Sequence, residues 1–204
     1  MLHRLIVIAI VLLCSSVGGQ AAAQEAIGAV SRIQGGAHGT RGGTTRALGL
    51  NAPVFLNETV STAAATRLEV TFKDNTRLTL GENSKLTLDK YVFNPAAGRG
   101  TIRFRLVGAF RFLSGQVSKL ARSDVSVTTP VATIGIRGTE FWGGPIDDQA
   151  LGVFLVEGAV SVSNAAGEQI LRQPGQGTNI ARRAQRQGPS PSGRRTRSTV
   201  PSRP

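Results

Sequence analysis

Leu68-Glu69-Val70-Thr71-Phe72-Lys73-Asp74-Asn75-Thr76-Arg77-Leu78-Thr79-Leu80 reads as strand, turn, strand. Leu68, Val70 and Phe72 alternate with Glu69, Thr71 and Lys73. Asp74-Asn75-Thr76 breaks the run, and Leu78 and Leu80 then alternate with Arg77 and Thr79. A period of two puts every second side chain on one face of a pleated strand, so each run is a half-buried strand. Gly81-Glu82-Asn83 is a second turn, and Leu86 and Leu88 resume the alternation against Lys85, Thr87 and Asp89.

The same rhythm runs outward from this stretch. Ile102, Phe104 and Leu106 alternate with Arg103 and Arg105, and the pairs Val125/Val127 and Val160/Val162 have polar residues between them. No window of about 11 residues or longer carries helical spacing. The chain therefore predicts an all-β domain of short strands, a β-sandwich or jelly roll. A weak internal repeat relates Phe112–Val117 to Leu155–Val160.

The 204 residues carry 24 Lys+Arg against 12 Asp+Glu, a net charge of +12. A balance so basic suggests a polyanion partner until the bases are located. Seven arginines and no acid lie between Arg182 and Pro204, one more base is Arg4, and residues 24–181 hold 16 bases against 12 acids. The domain itself is thus only mildly basic, at +4. The segment 182–204, rich in Arg, Ser, Pro and Gly, lacks the apolar residues needed to offset ordering entropy and is expected to be disordered.

Met1-Leu2-His3-Arg4, the apolar run Leu5–Leu13 and the small residues ending Ala21-Ala22-Ala23 form the three-part pattern of a secretory signal peptide. Cleavage is expected after Ala23. The run is about half of the roughly 20 residues that span a bilayer. The expected organisation is a signal peptide over 1–23 and a lead-in with the first strand over 24–49. A β domain over 50–181 and the basic tail over 182–204 complete it.

Export removes the one cysteine, Cys14, and leaves one histidine, His38, within Gln34-Gly35-Gly36-Ala37-His38-Gly39. Disulfides, thiol chemistry and zinc sites built on Cys and His are excluded on that basis. Asp147-Asp148 supplies too few of the about six to eight oxygens calcium takes, and reads as a turn. The chain has no G-x-S-x-G, H-E-x-x-H or G-K-[ST]. No enzyme activity and no cofactor are expected.

These blocks resemble a known family. Asn57-Glu58-Thr59-Val60-Ser61-Thr62, the opening stretch and Ser84-Lys85-Leu86-Thr87-Leu88 are similar to the first half of a FecR domain. The family's most specific string, T-P-x-A-x-x-x-V-R-G-T-x-F, is matched by Thr129-Pro130 through Ile136-Arg137-Gly138-Thr139-Glu140-Phe141. Val156-Glu157-Gly158-Ala159-Val160 and Gln173-Pro174-Gly175-Gln176 resemble its close. Asn75 stands where the family prefers Gly, and Glu58 where it prefers Asp. The resemblance implies a periplasmic β domain whose founding members relay the state of an outer-membrane siderophore transporter to a cytoplasmic anti-sigma segment. No such cytoplasmic segment and no spanning helix after the signal are expected in this sequence.

The expected function is protein–protein contact in envelope signalling or assembly, with an envelope protein as partner. The alternative is binding of anionic polysaccharide or lipopolysaccharide through the tail and a basic strand face. Nucleic acid is not an expected partner. Arg103, Arg105 and Arg111 are candidates for that face, and Trp142, opposite in alternation to Phe141, for recognition. Pro130, Arg137, Gly138, Thr139 and Gly158 are expected to act structurally. Glycine permits φ > 0 or close backbone approach, and a Thr hydroxyl can bond neighbouring backbone.

Overall fold

A computed structural model describes residues 25–147 and 149–181. The expected signal peptide and basic tail lie outside the described residues, as does Asp148. Among the described residues the regular elements are strands and a short 3-10 turn at Val117–Lys119. The strands are β1 (Ala26–Gln34), β2 (Ala37–Arg41), β3 (Thr44–Ala47), β4 (Pro53–Phe55), β5 (Thr59–Thr62), β6 (Arg67–Phe72), β7 (Arg77–Leu80) and β8 (Lys85–Asn94). They continue with β9 (Arg99–Val107), β10 (Phe110–Leu113), β11 (Arg122–Thr128), β12 (Thr133–Ile146), β13 (Gln149–Asn164), β14 (Gly167–Leu171) and β15 (Gly177–Ala181). No helix among them is long and apolar enough to cross a membrane.

The alternation translates directly into burial. Leu68, Val70, Leu78, Leu80, Leu86 and Leu88 are fully buried, while Glu69, Thr71, Thr79 and Thr87 on the same strands remain half-exposed. Each such apolar side chain contributes about 1.5–3 kcal/mol by leaving water, which fixes the face each strand turns inward. The turn at Asp74–Thr76 is closed by Asn75 at φ 64°, and the next by Asn83 at φ 50°. Asparagine tolerates this left-handed conformation better than most residues.

The sandwich is one sheet curled on itself. Its order is β3-β2-β5-β8-β9-β11-β12-β10-β7-β6-β1-β4, with β13 beside β12 and both β14 and β15 beside β13. The long ribbon β12–β13 belongs to two arms. Near Thr133–Gly135 it borders β11, and near Glu140–Gly143 it borders β10. Across β13 the same division gives Val160–Asn164 to β14 and Gln149–Phe154 to β15. At the far side β1 and β2, separated by Gly35-Gly36, cross in the same way: β1 pairs with β4 and β6, β2 with β3 and β5. The arms meet through their apolar faces, with the rings of Phe72 (β6) and Phe104 (β9) stacked at 5.0 Å.

Residues 26–47 hold three strands where the sequence suggested a lead-in and one strand. Ala37-His38-Gly39-Thr40-Arg41 buries only Ala37 and Gly39 inward, so the inner face of β2 lacks the large apolar side chains that announce a strand. Its pairing with β5, rather than its own pattern, makes it one.

Asp74 is the polar centre of the domain. Fully buried, its carboxylate accepts from Thr76 Oγ1 (2.6 Å), Tyr91 Oη (3.0 Å) and the backbone N–H of Val117 (3.2 Å). Its backbone carbonyl accepts from Gln116 N–H at 2.7 Å. Burial, and then the charge of Asp74, push the Tyr91 phenol above its ordinary 10.0. Because the folded state holds that proton more tightly, its contribution to stability is full below pH 10.0 and falls as pH rises further. We expect denaturation midpoints to drop in alkali above that pH, and Tyr91→Phe to flatten the drop. An equal alkaline slope in both proteins would refute the assignment.

Candidate functional site

The motif residues build the fold line of the ribbon. Gly138 (φ 55°) and Gly158 (φ 83°) sit where the β12–β13 register shifts, between Arg137 and Glu140. Such bulges sharpen twist and let one strand serve two sheets. A Cβ on Gly158 would lie 2.1 Å from the Gly138 carbonyl oxygen, so the two backbones meet there. The buried Thr139 hydroxyl lies 2.7 Å from the Ala159 carbonyl and 2.9 Å from that of Arg137, and accepts the Ala159 N–H at 3.3 Å. Thr139 N–H donates to Ser114 Oγ (2.9 Å), and Ser114 N–H returns a bond to the Thr139 carbonyl (2.9 Å). Pro130 occupies the turn joining β11 to β12, closed by Thr129 N–H to the Ala132 carbonyl at 2.8 Å. Arg137 points into solvent and, with Arg172, borders a depression of about 580 Å³ that Asp124 and Glu168 also line.

The three strand arginines are exposed but paired. Arg103 donates to Asp124 (2.5 and 3.2 Å), Arg105 grips Asp89 through two bonds (2.6 and 2.8 Å), and Arg111 pairs with Glu140. Arg103 and Arg105 share β9, whereas Arg111 lies on β10, with β11 and β12 between them in the sheet. The structure thus shows a ladder of ion pairs along β9, and a third pair elsewhere, in place of one uncompensated basic stripe. Alternation placed the arginines outward; their acids come from β8, β11 and β12, and only strand pairing could name them.

Trp142 lies elsewhere, on the outer face of the other arm, half-buried while Phe141 beneath the sheet is fully buried. In register across that face stand Arg111 on β10, Trp142 on β12 and Phe154 on β13. Phe154 is 46% exposed, Val156 two residues on is 42% exposed, and Ile146 at the end of β12 is 39% exposed. Between them lie Gly144 and Gly152, paired in register, which keep the floor low. Four large apolar side chains around a glycine floor make a contiguous apolar face, of the kind that marks interaction surfaces on soluble domains. The sequence signal was the run Phe154-Leu155-Val156, whose strand phase puts Leu155 inside and its neighbours outside. His38 is exposed on β2, and Asp147 (φ 47°) forms the hairpin tip. Among the described residues no three His, Cys, Asp or Glu side chains cluster as a metal site would require.

Together the corner, the curled sheet and the apolar face define an all-β domain built on one curled sheet. The chain matches the FecR protein family over residues 58–161, just over half its length, and belongs to that family. The match spans the opening alternation and the Arg137-Gly138-Thr139 corner. No curated protein matches the chain. Two crystal structures of a candidate anti-sigma factor from Parabacteroides distasonis align with it, each at 16% identity and a TM-score of 0.48. The alignment covers 60% of this chain and 60% of that one, so this chain spans less than two thirds of that protein.

Proposed function

We propose that this is an exported, non-enzymatic FecR-domain protein acting by protein–protein contact in envelope signalling or assembly, with the periplasm as its compartment. The family supports a regulatory role. The observation that carries the contact reading is the apolar face of Trp142, Ile146, Phe154 and Val156. Interface cores are enriched in aromatic residues, and such anchors hold much of the binding energy. A photo-crosslinking residue at position 154 should capture a discrete envelope protein in cells, while one at Thr87, on the outer face of the other arm, should capture none. Capture at Thr87 alone, or at neither position, would sink the reading.

A second reading rests on the seven arginines and no acid of 182–204. Such a segment attracts anionic polymers by charge. The strand arginines already hold their own carboxylates, so any such binding is expected to belong to the tail. Deleting 182–204 should abolish salt-sensitive sedimentation with purified sacculi or lipopolysaccharide. Arg103→Gln with Arg105→Gln should leave it within about twofold, since exposed ion pairs are worth only about 0–1 kcal/mol.

A further inference from the structure

Acids occupy the arginines that alternation singled out, but other arginines on the outer face of β9 to β14 hold none. Arg99 lies on β9 in phase with Arg103, and Arg122 stands beside it in parallel register at the start of β11. Two residues on, Asp124 turns outward to bond Arg103, so Arg122 shares that face. Arg137 on β12 and Arg172, just past β14, border one depression of about 580 Å³. All four are exposed, and among the described residues none makes an ion pair. Elsewhere Arg46 bonds Glu58, Lys73 bonds Glu25 and Arg111 bonds Glu140. Two acids border the depression, Asp124 and Glu168. Asp124 is taken by Arg103, which leaves Glu168 alone against the four arginines.

The sheet order sets the scale of this band. Neighbouring strands lie about 4.8 Å apart, so crossing from β9 through β11, β12 and β13 to β14 takes about 19 Å. An extended chain covers that in about six residues. The floor is low, because Gly135 stands in register with Ser126 on one side and Ser161 on the other, and Arg137 with Ala159. The hydroxyls of Ser126 and Ser161 have no hydrogen-bond partner among the described residues. Ile170, in register with Ser161, is exposed and forms an apolar wall between the bases and Glu168.

We propose that this band docks an extended, acidic segment of a partner protein, which lays carboxylates on Arg99, Arg122, Arg137 and Arg172 and an apolar side chain against Ile170. This rests on the protein-contact reading above, and adds to it a second surface and the partner's chemistry. Complementary charge steers the segment in and fixes its register. A guanidinium offers a carboxylate two parallel N–H donors, a fit that a lysine ammonium lacks. The apolar wall among the bases favours a peptide over an anionic polysaccharide, whose polar units gain nothing from Ile170. The Trp142 face offers no such site, since Arg111 there already holds Glu140.

The test is to pan a displayed library of short random peptides on the exported chain, then measure the affinity of the selected peptides. They should be rich in Asp and Glu, with an apolar residue among the acids. Arg122→Gln, Arg137→Gln and Arg172→Gln together should weaken them about tenfold, the loss expected of three exposed ion pairs. Arg32→Gln, Arg67→Gln and Arg77→Gln remove the same charge from exposed positions on β1, β6 and β7, and should change affinity less than about twofold. Should Arg137→Gln lower the thermal midpoint, Arg122→Gln with Arg172→Gln serves instead and should weaken the peptides severalfold. Selected peptides without acids, or equal losses in the two triple variants, would overturn the proposal. Peptides that lose affinity only when 182–204 is deleted would belong to the tail, and likewise overturn it. So would a band that selects no peptide yet holds sacculi or lipopolysaccharide, because the occupant would then be the polymer. Thr87 lies on β8, three strands from Arg137, so a segment held by the band leaves it bare. Capture at position 154 with no acidic peptide selected would leave the contact reading standing and the band proposal fallen. Peptides that depend on the band while position 154 captures nothing would keep the band and remove the Trp142 face.

Discussion

Asp74→Ala is expected to destabilise the domain by about 3–5 kcal/mol, the range for breaking a buried polar network. Four donors lose their acceptor at once: Thr76 Oγ1, the Thr76 N–H, Tyr91 Oη and the Val117 N–H. They come from the β6–β7 turn, from β8 and from the 3-10 turn after β10, so the carboxylate joins segments far apart in sequence. The Thr76 hydroxyl also accepts the Gly115 N–H at 3.0 Å, and its orientation is set by the bond it gives Asp74. Asp74→Asn restores one acceptor, but places an amide donor against other donors, and should cost about half as much. Chemical denaturation checks this: the midpoint should fall with the slope unchanged. A loss below about 1 kcal/mol, the size of one ordinary hydrogen bond, would show that the network is not a keystone.

That centre was half legible in the sequence. The turn at Asp74-Asn75-Thr76 follows from residue types, because Asp and Asn favour turns and interrupt an otherwise regular alternation. Tyr91 and Val117 as partners do not, since nothing local ties a residue to another 17 or 43 positions away. The strands of the middle of the chain were readable for the same reason: burial on one face writes a period of two. β2, with Ala37 and Gly39 as its inward residues, writes none. The outward position of Arg103, Arg105 and Trp142 followed from phase alone. The ion partners and the row Arg111–Trp142–Phe154 required the register.

The second large effect is expected at the corner. Gly158→Ala should cost about 3 kcal/mol or more, of which a left-handed backbone with a Cβ accounts for about 1–2. The remainder comes from contact. The new carbon would lie 2.1 Å from the Gly138 oxygen and 2.9 Å from Thr139 Cα, both backbone, so the ribbon must open. Opening it strains the Thr139–Ala159 bonds that lock the two strands, each worth about 1 kcal/mol. Gly138→Ala is the internal control. It too has positive φ, 55°, yet a Cβ there meets nothing within 4 Å, so only the conformational term of about 1–2 kcal/mol applies. Thermal or denaturant midpoints of the two variants should therefore differ clearly. Equal losses would mean that Gly158 supplies conformation alone and that close approach of the strands does not set the corner. The distinction reaches the apolar face proposed for partner contact, because Phe154 and β15 ride on the arm beyond Gly158, and the angle there fixes where they stand relative to β14. Gly158→Ala should consequently weaken capture at position 154 even at temperatures where the variant remains folded, whereas Gly138→Ala should leave capture intact.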